Sequence, residues 1–227
     1  MLLLQERSRP HACYTTLLKR YFQINDTHVL GEKCPSDPHY VLHVRAGDIT
    51  RGWFDMTTYA WVSEAGVNHH YFPHPTSYYV AAMNDMEKRA TTSNRPIFYV
   101  LCEDLGNPTC DYFQKSTGIS QSELRIRIGE PLIEDLYLLL CASGVAVSIG
   151  TFSRVLDLSP KPQILYGFSY VPRNCTSDGR LLYHIKDETQ RHLYEEQSKK
   201  WKNTVYQRFL VDTHTPMQKC GAVKVMK

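Results

Sequence analysis

Several signatures that would settle a function at once are missing from this chain. Its seven cysteines form no Cys-x-x-Cys pair, so a zinc site of finger-type spacing is not expected. There is no Asp-x-Asp pair to hold a metal on a nucleotide diphosphate. There is no Gly-x-Ser-x-Gly elbow either, which removes the ordinary α/β-hydrolase. No apolar run reaches the roughly 18 to 20 residues needed to cross a bilayer, so no membrane span is expected. The opening "MLLL" is followed at once by "QERSRP" and reads as neither signal peptide nor anchor. The expectation is a cytosolic protein, or one whose N-terminus has been lost. A net charge of +3 is too small to point to nucleic acid, and the basic C-terminal tail reads first as a solvated surface. Internal repeats and low-complexity tracts are absent.

What is there is an ordinary globular composition, 42% hydrophobic and 22% charged. Cys102 and Cys110 flank the short loop "EDLGNPT" and are placed to bridge it. Cys141, inside "LYLLLCASG", reads as a small buried apolar residue. Asn25-Asp26-Thr27 and Asn174-Cys175-Thr176 are glycosylation sequons. Together with the cysteines they lean toward a secretory lumen.

Apolar runs of strand length alternate with helical patterns. "PHYVLHV" predicts a strand ending at Arg45, followed by "AGDITRGWFD" as a loop and by an irregular stretch, "WVSEAGVNHHYFPHP". "TSYYVAAMNDMEKRA" predicts a helix capped by Thr76 or Ser77. "RPIFYVLCED", "LRIRIG", "VAVSIG" and "KPQILYGF" read as strands. "TCDYFQKSTG" reads as a short helix stopped by Gly118, and "PLIEDLYLLLCASG" as a helix from Pro131 to Gly144. "TFSRVLDLS" opens a further helix. The segment "KDETQRHLYEEQSKKWKNTVYQRF" reads as one polar helix with an apolar stripe at Leu193, Trp201, Val205 and Phe209. This alternation predicts an α/β fold, a Rossmann-like, mostly parallel sheet with helices on both faces. Ligands of such sheets bind at the C-terminal strand ends.

Two stretches lie at such ends. "VLHVRAGDI" brings His43, Arg45, Gly47 and Asp48 out of a buried strand, and "IGTFS" places Gly150, Thr151, Phe152 and Ser153 before a helix. An arginine fork suits a diphosphate, and a helix N-terminus adds partial positive charge. Asp135 offers a carboxylate to the N–H groups of a base. Taken one at a time, each has a plainer reading. Arg45 pairs with Asp48, His43 is a satisfied core histidine, Thr151 and Ser153 only cap, and Asp135 offsets a helix dipole. His69, His70 and His74 are the sole metal-like cluster, and an exposed loop is their expected home. No metal and no cofactor are expected.

The combination "HVRAGD" and, from 134 to 153, "EDLYLLLCASGVAVSIGTFS" resembles the fucosyltransferase superfamily, which includes the α1,2-type, core α1,6-type and protein O-fucosyltransferases. The resemblance covers residues 38–158. It implies the C-terminal, donor-binding domain of a GT-B glycosyltransferase, which would bind GDP-fucose. It also implies roles. Arg45 would bind the departing diphosphate and act as the catalytic residue. His43 and Asp135 would contact guanine or ribose. Thr151, Phe152 and Ser153 would line the phosphate pocket, while Gly47, Asp48 and Gly150 brace the loops around it. Many members have a second arginine where this chain has Ala46, and tryptophans where it has "RVLDLS".

The expected activity is metal-independent, inverting transfer of fucose to a glycan or protein hydroxyl in the Golgi or ER lumen, with a cytoplasmic location as the alternative. The partners are a nucleotide sugar and a glycan or glycoprotein acceptor, with no nucleic acid. The alternative function is a sugar-nucleotide or glycan-binding module without turnover. The expected organisation is an N-terminal segment over 1–37, read as the remnant of a truncated first domain, a nucleotide-sugar-binding domain over 38–175, and a C-terminal extension over 176–227.

Overall fold

The computed structural model describes residues 34–45, 52–55, 60–63, 73–90, 95–116, 122–148, 156, 163–169, 181–198 and 204–220, with the backbone alone described at 52–55 and 60–63. The elements run β1 (His39–Val44), β2 (Gly52–Asp55), β3 (Ala60–Ser63), α1 (Thr76–Arg89), β4 (Ile97–Cys102), α2 (Pro108–Lys115), β5 (Glu123–Ile128), α3 (Leu132–Cys141), β6 (Gly144–Ala146), β7 (Ile164–Phe168), β8 (Leu181–Ile185), α4 (Glu188–Ser198), α5 (Val205–Asp212) and β9 (Met217–Lys219).

Seven strands form one sheet in the order β5-β4-β1-β6-β7-β8-β9. All neighbours are parallel except β8 and β9. The fold is therefore α/β and Rossmann-like. Setting aside the β2–β3 pair, its first six strands follow the 3-2-1-4-5-6 order of doubly wound nucleotide-binding sheets. The order reverses between β1 and β6, and the crevice at such a reversal opens at the C-terminal strand ends.

The central strands β1, β4 and β6 read as nearly continuous apolar runs because both sheet faces are covered. Along β1, Tyr40, Leu42 and Val44 join one core with Phe98, Val100 and Cys102 of β4 and with Tyr78, Tyr79, Ala82 and Met86 of α1. Phe113 of α2, Tyr194 of α4 and Val211 of α5 complete that layer. Val41 faces the other way and packs with Tyr99, Leu101, Val145 and Val147 against Leu138 and Leu139 of α3. Fully burying one such side chain is worth about 1.5–3 kcal/mol, so the two-faced core outweighs any local preference.

Several local expectations change. "GWFD" and "AWVS" are not loop but pair antiparallel as β2 and β3, with Trp53 opposite Val62 and Phe54 opposite Trp61 in the backbone register. Thr76 and Ser77 do not cap α1; Pro75 occupies that place. Their hydroxyls reach Thr109 Oγ1 at 2.9 Å and Thr215 Oγ1 at 3.3 Å instead. Helix α3 ends at Cys141, and Gly144 is the first residue of β6. A β-carbon there would stand 3.2 Å from Tyr40 Cδ1 and 3.3 Å from the Ile164 carbonyl. Cys141 is not a plain apolar residue, since it is disulfide-bonded to Cys34. Cys102 and Cys110 are bonded as expected, and Cys220 is also in a disulfide.

The long polar helix is two helices. Thr204 and Gln207 form a reciprocal capping box that starts α5 afresh. Val205 and Phe209, placed in the apolar stripe, are 86% and 64% exposed, whereas Tyr194 and Val211 are buried. The boundary expected at 175/176 falls between β7 and β8, which are hydrogen-bonded neighbours in the one sheet. Among the described residues no helix is long and apolar enough to cross a membrane. Apart from the buried Leu156, the expected helix at "TFSRVLDLS" lies outside the described residues, as do the stop at Gly118 and both sequons.

Candidate functional site

The sheet brings the end of β1 beside the end of β6 at the order reversal. Arg45 directly follows the last residue of β1. The side-chain amide of Asn107, at the start of α2, donates to the Arg45 carbonyl at 2.7 Å. His43, two residues back, has Nδ1 3.0 Å from the hydroxyl of Ser148, just beyond β6. That contact ties the two central strand ends together.

Burial, reinforced by the Arg45 guanidinium, lowers the His43 pKa to about 4. The ring is therefore neutral near pH 7. A second histidine lies close behind it. His74 is 2% exposed, packed with its ring 5.3 Å from Tyr78 and 5.2 Å from Phe168. Burial first, then the nearby His43, lowers its pKa to about 3, against a backbone hydrogen bond to Val147 that raises it. The exposed loop expected for His74 is corrected accordingly: aromatic neighbours take this ring into the core. His69 and His70 lie outside the described residues. Tyr78 donates its hydroxyl to the Val147 carbonyl at 3.1 Å, so α1, β1 and β6 are stitched together beneath the crevice. With both rings neutral, Arg45 is the cation in this group of three.

Asp135 occupies the first turn of α3. This helix follows β5, which stands two strands from β1, a spacing of about 10 Å. Its carboxylate accepts from Arg127 Nε at 2.8 Å, and Arg127 also reaches Glu134 at 2.8 Å. Burial, the largest influence, raises the Asp135 pKa, while the Arg127 guanidinium pulls it down. Sequence reading did not include Arg127 as its partner. The signal was available, since Arg127 ends an alternating strand and three acids, Glu130, Glu134 and Asp135, follow within one helical turn of the helix start. The structure thus brings His43, Arg45 and Ser148 together at the reversal and sets Asp135 apart toward the sheet edge. Gly47, Asp48, Gly150, Thr151, Phe152 and Ser153 lie outside the described residues.

Asn107 and Ser148 are the residues that sequence reading missed, and His74 was read only as a loop histidine. Asn-Pro at 107–108 is a helix-start signal, cap followed by proline at the first helical position. Nothing in "VAVSIG" marks Ser148. Among the described residues no group of three or more His, Cys, Asp or Glu is placed to hold a metal ion. This end of the sheet can offer an anion the Arg45 guanidinium, whose main chain is held by Asn107, with the neutral His43 ring beside it. The chain matches no protein-family model, no curated protein and no solved structure.

Proposed function

We propose that the chain is a glycosyltransferase of fucosyltransferase type that transfers fucose from GDP-fucose to a glycan or protein hydroxyl. The observation that carries this reading is the place of Arg45. It follows β1 at the order reversal, where doubly wound sheets bind nucleotides, and its main chain is held by Asn107. The motif "HVRAGD" that contains it resembles the diphosphate-binding motif of that superfamily. On this reading the sheet is the donor-binding domain of a GT-B enzyme.

In the reaction, the acceptor oxygen forms a bond to the sugar's anomeric carbon on the face opposite the diphosphate. The bond from that carbon to the diphosphate oxygen breaks, the electron pair leaves with GDP, and the acceptor's hydroxyl proton is released to solvent. Charge grows on that oxygen, and a guanidinium aimed at it binds more tightly as the bond lengthens. Neutral His43 and His74 leave that role to Arg45. The chain has no Asp-x-Asp pair, which fits departure assisted by arginine. The disulfides Cys34–Cys141 and Cys102–Cys110 support an oxidising lumen such as the ER or Golgi.

Calorimetry with GDP, UDP and CDP, followed by GDP-fucose and an acceptor array, tests the reading. Preference for GDP and release of GDP with a fucosylated acceptor are expected. Preference for UDP would refute the fucosyl donor. Binding without turnover would favour the glycan- or nucleotide-binding module to which Ala46, in place of a second arginine, also points.

A further inference from the structure

The segment that carries the chain from β4 into α2 is fastened far more firmly than a connection requires. The Cys102–Cys110 disulfide closes it. The Gly106 N–H donates to Asp104 Oδ1 at 2.8 Å, and Arg208 of α5 donates to the Gly106 carbonyl at 2.6 Å. The Gly129 N–H donates to the Cys102 carbonyl at 3.0 Å. These ties hold the chain on either side of Asn107, which is 1% exposed. Its Oδ1 accepts from the Thr109 N–H at 2.9 Å and so caps α2. Its Nδ2 donates to the Arg45 carbonyl at 2.7 Å.

A helix cap needs only the oxygen, and Ser, Thr or Asp would supply one. The donated N–H is what asparagine adds, and it is spent on Arg45. The paired register of β1 with β4 ends at Val44 opposite Cys102. Asn107 carries the fixed geometry one residue further, to the arginine itself.

We propose that Asn107 is a positioning residue that sets Arg45 for a nucleoside diphosphate, with the Cys102–Cys110 disulfide holding Asn107 in register. The proposal rests on the reading of Arg45 as the diphosphate ligand. Positional errors of about 1 Å at such groups cost on the order of a hundredfold, so one buried hydrogen bond is enough to matter.

The test uses the full chain with Asn107→Ser and Asn107→Asp. Both retain an oxygen for the cap and remove the amide N–H that reaches the Arg45 carbonyl. GDP and GMP binding are measured by calorimetry, with circular dichroism and melting as folding controls. Wild type should prefer GDP to GMP. In both variants GDP affinity should fall by about ten- to a hundredfold while GMP affinity changes by less than about twofold, so the preference collapses. A merely structural role would weaken both nucleotides together. If wild type discriminates and Asn107→Ser discriminates equally well, the positioning role is wrong and the diphosphate reading stands. If only Asn107→Asp loses discrimination, the effect is the added charge, and the positioning role again falls. If wild type binds neither nucleotide, the functional reading and this inference fall together.

Discussion

Acid should destabilise this protein well before most of its carboxylates take up protons, because two histidines are folded in as neutral rings. His43 and His74 have pKa values of about 4 and about 3 in the folded chain, against 6.5 ordinarily. Both values are depressed, so the unfolded chain binds the extra protons. Stability is fully present above about pH 6.5 and drains away as the pH falls toward 4. Near pH 5 the unfolded chain holds nearly two more protons than the folded one at these sites, a slope of about 2.5 kcal/mol per pH unit. His184, also lowered, adds in the same direction. Asp135, whose pKa burial raises, works the other way and softens the loss at the acid end. Urea unfolding at about pH 7, 6 and 5 reads the slope directly. His74→Phe keeps an aromatic ring among Tyr78, Tyr79 and Phe168 and should roughly halve it. A flat wild-type profile from about pH 6.5 to 4.5, or an unchanged slope in His74→Phe, would refute the burial of neutral rings.

Arg45→Ala should lower kcat by on the order of 10²- to 10³-fold with a smaller rise in KM, and Arg45→Lys should restore little because an ammonium lacks the two-pronged geometry. Steady-state kinetics on folded variants checks both, and near-normal turnover in Arg45→Ala would remove the central residue. Replacing Cys34 and Cys141 together by serine opens a loop with a sequence separation of 107 and should cost about 3–5 kcal/mol of unfolding free energy, while peptide mapping without reduction should recover the Cys34–Cys141 and Cys102–Cys110 pairs. Gly144→Ala presses a methyl group against Tyr40 and the Ile164 carbonyl and should cost about 1–3 kcal/mol by chemical denaturation; an unchanged midpoint would show that Tyr40 can move aside.

The parallel strands were legible because burial on both faces writes them as short apolar runs, as in "YVLHV" and "IFYVLC". Their order was not, since alternation of strand and helix says that a sheet is parallel without saying which strand lies beside which. The β2–β3 pair was hidden because the four residues between its strands, "MTTY", lack the Asn-Gly or Asp-Gly signal of a tight turn. The break before α5 was readable in Thr204 and Gln207, but a periodic apolar stripe pointed the other way. Of the candidate site, Arg45 and His43 could be placed from strand ends alone. Ser148 and Asn107 could not, because each matters through a contact with a residue far away in sequence, at separations of 105 and 62. Asp135 was rightly seen at a helix start, yet its engagement with Arg127 follows from where β5 delivers that arginine.

The outer strands of the sheet bear on how this protein meets others. Along β5, Arg125 bonds Glu123 at 2.7 Å and the Tyr99 hydroxyl at 2.8 Å, and Arg127 gathers Glu134 and Asp135. At the opposite margin β9 has only three residues and runs antiparallel, and Lys219 is tethered to Asp85 of α1 at 3.1 Å. Charged side chains at one margin and brevity at the other are the devices that stop a sheet from recruiting foreign strands. Lateral growth into a larger sheet or a fibre is thereby discouraged on both sides. A companion domain or subunit is left to approach over a helical layer or against the strand termini, and the second route would carry it directly to Arg45.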